Sequence, residues 1–181
     1  MKVWRIDYDI ENFRRLTLVD DIDYIEFMHS FDGVPKKDGW SAPKMEYMEE
    51  DLKLPIGDFT PFGSGILTVA DKIADKFQEC FGGAIEVLKI ESVKGISIIH
   101  IMDVCGCVDY ERSLIDYYPD QVRIMDIDKY VFLKEVVESK TIFKDSGFPV
   151  TDVYVTDRCK QEIESWNPTG VMFIEYWDSE N

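Results

Sequence analysis

The stretch from Asp152 to Trp177, DVYVTDRCKQEIESWNPTGVMFIEYW, restricts the fold more than any other, because it passes from strand period to helix period and back without a break. Val153 and Val155 alternate with their neighbours in a β-branched and aromatic run, the pattern of a half-buried strand. Thr156 or Asp157 then offers a side-chain oxygen to the free amides of a helix start, and the acid suits the positive end of the helix dipole. Cys159, Ile163 and Trp166 fall at i, i+4 and i+7, one stripe of a short helix. Asn167, Pro168 and Gly170 end it, and Val171, Phe173, Ile174, Tyr176 and Trp177 read as a second strand.

The same unit occurs earlier at a constant offset. Val69 stands over Val155, Asp71 over Asp157, Ile73 over Cys159, Phe77 over Ile163, Cys80 over Trp166, Ile85 over Val171 and Val87 over Phe173. Common descent and convergent patterning both fit, since only the Val and Asp pairs are identities. Either way, the expectation is two short helices covering one sheet.

The remaining pattern is mostly strand. Residues 3–10, 45–48, 66–69, 85–90, 96–102 and 141–144 read as strands, and residues 71–81 as a helix closed by Gly82 and Gly83. Strands 85–90 and 96–102 make a hairpin with a four- or five-residue connection through Gly95. Residues 13–28 fit helix or strand, and VRIMDIDKYVFLKEVV starts as strand and continues as either. Loops are expected at 33–40, near 51–65 and at Ser146 to Pro149. The fold class is therefore α+β, a mainly antiparallel sheet with two strand-helix-strand units packing their helices on it. With 181 residues, 45% of them hydrophobic, one domain over 1–181 is expected. Residues 1–57 form its more weakly patterned, β-rich N-terminal part and residues 58–181 the more strongly patterned one.

A formal charge of −16 narrows the partners, and each third of the chain is acidic by five or six charges. Such a field repels nucleic acid and anionic lipid and favours a basic partner. No apolar run reaches the roughly 20 residues of a membrane span, and the N-terminus lacks the apolar block of a signal peptide, so the expected location is the cytoplasm.

No nucleotide-binding glycine motif, H-E-x-x-H or G-x-S-x-G is present, and no cofactor is expected. FGSG at Phe62 to Gly65 has no following Lys to hold a phosphate. Cys80 and Cys159 lie on the helical stripes as small hydrophobes. Cys105 and Cys107 form a C-x-C near His100, which leaves open a small-molecule or thiol- or metal-dependent enzyme. Against this, His29 and His100 are the only histidines, and a zinc site usually uses two turn-spaced ligand pairs.

The segment Asp103 to Asp128 interleaves tyrosines with carboxylates. Asp103, Asp109, Tyr110, Glu111, Arg112, Tyr117, Tyr118, Asp126 and Asp128 are the candidate partner-binding residues, and Asp120 lies in the same segment. Tyrosine adds contact area at low rotamer cost, and aspartate adds charge complementarity to a basic protein. The other reading is a connecting loop whose tyrosines lid the core.

Several short motifs form a recognisable succession: GW-x-A-P at Gly39 to Pro43, Asp58-Phe59, TVADKIADKF, D-Y-E-R-S at Asp109 to Ser113, TIFK at Thr141 to Lys144, and VYVTDRCKQEIES followed by TGVMFIEYW. Over roughly residues 39–177 the chain resembles the immunity proteins of bacterial polymorphic-toxin systems, specifically immunity protein family eleven, the immunity MXAN-0049 domain. The resemblance implies a cytoplasmic protein encoded beside a toxin, which binds the toxin domain and blocks it without catalytic residues.

Overall fold

The computed structural model describes residues 1–19, 22–63, 65–147 and 152–180. In chain order the elements are β1 (Lys2–Tyr8), β2 (Leu16–Leu18), α1 (Tyr24–His29), β3 (Met45–Tyr47), a 3-10 turn (Glu49–Asp51), β4 (Leu67–Ala70), α2 (Asp71–Phe81) and β5 (Ile85–Lys89). There follow β6 (Ile96–Ile101), β7 (Val104–Cys105), β8 (Leu114–Tyr117), β9 (Ile124–Lys129), α3 (Lys134–Val137), β10 (Ile142–Asp145), β11 (Tyr154–Thr156), α4 (Asp157–Ser165) and β12 (Val171–Asp178). The strands form sheets ordered β12-β1-β11-β10-β7 and β4-β6-β5, with two-stranded pairs β2-β3 and β8-β9. Among the described residues only β10 with β7 is a parallel pair, so the class is α+β as the patterning predicts. Ser64, Phe148 and Pro149, which belong to two of the expected loops, lie outside the described residues.

The two strand-helix-strand units are present, but they do not share a sheet. In each, the outer strands flank a third strand antiparallel to both: β6 between β4 and β5, and β1 between β11 and β12. Helix α2 packs on the three-stranded sheet and α4 on the five-stranded one. They meet inside one core, where the Phe77 ring sits edge-on to Trp166 at 5.2 Å. Strand period tells which face is buried and is silent on which sheet a strand joins. The inserted strands, moreover, come from outside the repeated segments. The connection from β5 to β6 runs from Ile90 to Gly95, slightly longer than expected, with Gly95 at φ +83° where a side chain would be strained.

Residues adjacent in sequence face opposite layers of the five-stranded sheet. Ile6, Ile142 and Val155 face the core beneath α4, whereas Val3, Phe143 and Tyr154 face a second core with Ile127, Tyr130 and Phe132. Strand β6 is buried along its whole length: Ile99 and Ile101 belong to the α2 core, Ile96 and Ile98 to a third cluster with Leu16, Met28 and Met45.

Two local expectations are corrected. Thr156 occupies the N-cap position of α4, but its side chain makes no capping hydrogen bond. The Thr156 hydroxyl donates to the Lys140 carbonyl, and the Asp157 carboxylate accepts the Lys2 N–H at 2.8 Å and the Trp4 indole N–H at 2.9 Å, tying the helix start to β1 instead. Cys159 is fully buried as expected, but Cys80 is exposed, its sulfur 3.6 Å from a Glu162 oxygen.

Lys144 is the outstanding buried charge. Its side chain is 1% exposed, its Nζ donates to the Phe31 carbonyl at 3.2 Å, and burial pulls its pKa from 10.5 down to about 8 despite Asp32 and Asp152. Below pH 8 the ammonium is charged in both the folded and unfolded chain and its desolvation counts fully against folding. Between about 8 and 10.5 the folded chain releases the proton first, so that cost is relieved as pH rises. Lys144→Met is therefore expected to stabilise the protein by about 1–3 kcal/mol at pH 7, with the advantage shrinking across that window. Denaturant midpoints at pH 7 and 10 check it.

Candidate protein-binding surface

The segment Asp103 to Asp128 divides into three parts with different roles. At its start, Asp103 pairs with Lys140 at 2.7 Å and its carbonyl accepts the Lys144 N–H, so both its polar ends are engaged within the protein.

The second part wraps around Asp145, a fully buried carboxylate at the end of β10. Asp145 accepts the backbone N–H groups of Cys107 at 2.9 Å, Val108 at 3.0 Å and Gly147 at 2.8 Å. It also accepts the Tyr110 hydroxyl and, at 3.4 Å, the Cys107 thiol. Tyr110 is half-buried, and burial together with this carboxylate pushes its pKa up. Asp109 serves its own turn, its Oδ1 accepting the N–H of Glu111 at 3.2 Å and of Arg112 at 3.1 Å. The structure thus directs Asp109 and Tyr110 to internal bonds, while the adjacent Glu111 and Arg112 are exposed.

The third part is a hairpin of β8 and β9: the strand expected at the start of VRIMDIDKYVFLKEVV is β9, and Leu114–Tyr117, within the segment also readable as a connecting loop, pairs with it as β8. Ile115, Ile124 and Ile127 pack its inner side on the Tyr130–Phe132 core. Its outer side is exposed and carries the acids. Asp116 stands directly opposite Asp126, and Asp128 lies two residues along the same strand. Among the described residues none of the three has a cation within ion-pair distance. Like charges facing each other weaken a ladder by a few tenths of a kcal/mol to about 1 kcal/mol. The pairing therefore costs stability, and the internal bond it keeps is local, the Asp126 carboxylate accepting the N–H of Ile127 at 2.8 Å.

Apolar groups stand among these acids. Leu114, Tyr117, Tyr118, Val122 and Met125 are all exposed, Val122 by 77%. At the tip the Arg123 guanidinium lies 5.0 Å over the Tyr118 ring and 2.6 Å from Asp120, whose other oxygen accepts the N–H of Val122 and Arg123 at 3.0 Å. A rigid tip, uncovered apolar side chains and unpaired acids suit contact with a basic protein surface. Sequence reasoning missed Asp116, Leu114, Val122 and Met125. The alternation in LIDY and IMDIDK is their signal once the two runs are recognised as partners.

The C-x-C and His100 do not converge. The His100 side chain is fully buried on β6, its Nε2 accepts the Gly33 N–H at 3.3 Å, and Phe31 packs edge-on to it at 5.2 Å. Its Nδ1 faces Glu86 at 3.4 Å, and burial lowers its pKa below the usual range. Cys107 faces Asp145, and burial beside that carboxylate pushes its thiol pKa up, as burial does for Cys105 against the opposing charge of Lys140. A thiol held protonated is a poor nucleophile. Among the described residues no group of three or more His, Cys, Asp or Glu converges as a metal-binding set, and no helix is long and apolar enough to cross a membrane.

The sequence profile of the immunity protein family Imm11 matches residues 31–178. The chain belongs to this family. No curated protein matches it by sequence. As an Imm11 protein, the chain carries the matched region from the loop after α1 to the last residue of β12, so α2, α4 and the whole β8–β9 hairpin lie within it.

Proposed function

We propose that this Imm11 protein neutralises a cognate bacterial toxin domain in the cytoplasm by stoichiometric contact, without catalysis. Family membership over residues 31–178 is the observation that carries the reading. The contact residues we assign are Glu111, Arg112, Tyr117, Tyr118, Asp126 and Asp128 from the patterning, joined by Asp116 and Met125. Asp103, Asp109 and Tyr110 support that surface from behind. A formal charge of −16 with unpaired acids on an exposed hairpin favours a basic toxin, with attraction acting more on encounter rate than on final affinity.

Growth of a bacterial host expressing the toxin encoded beside this chain tests the proposal. Co-expression of the immunity protein restores growth, and Cys105→Ser restores it equally. No rescue by the wild type contradicts neutralisation, whereas rescue lost on Cys105→Ser with the fold intact favours the thiol-dependent enzyme.

A further inference from the structure

Strand β12 is the outer strand of the five-stranded sheet, with β1 on one side and, among the described residues, no strand on the other. Unpaired edges invite a foreign strand, and proteins blunt them with lysine, proline or sheer shortness. The opposite edge of this sheet follows that rule, since β7 is two residues long. The β12 edge does not: its eight residues, VMFIEYWD, contain neither lysine nor proline. The register shift against β1 falls at Tyr176, so Val171 to Glu175 remain a regular ladder.

The side chains beside this edge point the same way. Met172 and Ile174, exposed by 43% and 38%, are two residues apart and so share the face opposite α4. On that face a groove of about 440 Å³ separates β12 from β9, with Asp126, Asp128, Arg5 and Tyr176 among its walls. Arg5 is already taken by Asp7 at 2.6 Å and Asp152 at 3.4 Å, and among the described residues Lys129, the other cation in the groove wall, forms no ion pair with Asp126 or Asp128.

We propose that β12 receives an extended segment of the toxin as an added strand, every second side chain of which lies on the face opposite α4, with lysine or arginine there directed at Asp126 and Asp128 and apolar residues there at Met172 and Ile174. The proposal rests on the toxin-binding reading above and deepens it. Main-chain hydrogen bonds along β12 supply affinity, and the alternation of charge and apolar contact supplies register.

Backbone hydrogen exchange tests this with two probes: the toxin domain encoded beside this chain, and an acetylated ten-residue lysine–valine peptide of repeat Lys-Ser-Val-Ser, which alternates lysine and valine along one face of a strand, with a glutamate–valine peptide of the same spacing as control. Exchange at residues 171–175 slows with the toxin and with the lysine–valine peptide, and is unchanged by the control. Ile174→Lys, which adds an edge-blocking charge at an exposed position, weakens toxin binding by about tenfold or more with the melting temperature unchanged. A toxin complex that leaves exchange at 171–175 unchanged and tolerates Ile174→Lys overturns strand addition while the toxin-binding reading stands. A toxin that does not bind overturns the toxin-binding reading; absence of protection by the lysine–valine peptide then overturns strand addition as well.

Discussion

Phe77→Ala is expected to lower stability by about 3–5 kcal/mol. Phe77 is fully buried and its ring meets Phe59 at 6.0 Å, Phe81 at 5.8 Å and Trp166 at 5.2 Å. These neighbours come from three places: the bridge that joins Phe59 to β4, the end of α2, and the end of α4. Truncation opens a cavity where the two strand-helix-strand units meet, and rigid elements on every side limit collapse into it. The urea midpoint falls at nearly unchanged slope. A loss below about 1 kcal/mol would mean that the helices repack and that this junction does not hold the sheets together.

Asp145→Ala is expected to cost a similar 3–5 kcal/mol by a different route. The substitution removes little apolar contact but strands the buried N–H groups of Cys107 and Val108 and the Cys107 thiol, while the half-buried Tyr110 hydroxyl and the N–H of the exposed Gly147 can turn to water. Each unsatisfied buried donor costs about 1–3 kcal/mol before relaxation. Asp145→Asn keeps the volume and one acceptor oxygen, so roughly half of the loss is expected to return. Labelling of Cys107 gives an independent readout: its thiol is protected in the wild type and reacts faster in Asp145→Ala. Unchanged labelling together with unchanged stability would show that the turn from Cys107 to Tyr110 is held by other contacts.

The sequence made some parts of this architecture plain and hid others for identifiable reasons. Helix α2 spans Asp71–Phe81, where the apolar stripe of Ile73, Phe77 and Phe81 and the two following glycines place it. Helix α1 was ambiguous by period, although its cap was written in the chain: the Asp23 side chain accepts the Glu26 N–H at 3.0 Å. The β8–β9 hairpin was hidden because its turn, Tyr118 to Arg123, has no Asn-Gly or Asp-Gly, and its positive φ falls on Gln121. Sheet membership was hidden because β1 is inserted between β11 and β12, remote from it in sequence, and because β6, the expected hairpin partner of β5, also pairs with β4 on its other edge.

The candidate surface shows the same division. Composition located the tyrosines and acids of residues 103–128 but could not separate buried from exposed. Tyr110 is drawn inward by Asp145, 35 residues away, and Asp109 is spent on the turn that follows it. Conversely, Asp116 carries no local signal of importance, and only the ladder register reveals that it faces Asp126.

Neutralising the facing acids separates a binding role from a structural one more directly than any other change, because the two roles predict opposite signs. Calorimetric titration of the adjacent-encoded toxin domain into the wild type and into Asp116→Asn/Asp126→Asn/Asp128→Asn, at low and high salt, makes the comparison. A one-to-one wild-type complex that weakens with salt is expected, together with a triple variant that binds about 10- to 100-fold more weakly yet melts at the same temperature or higher, its like-charge repulsion relieved. No wild-type complex at micromolar concentration, or a triple variant that binds as tightly as the wild type, would contradict the account.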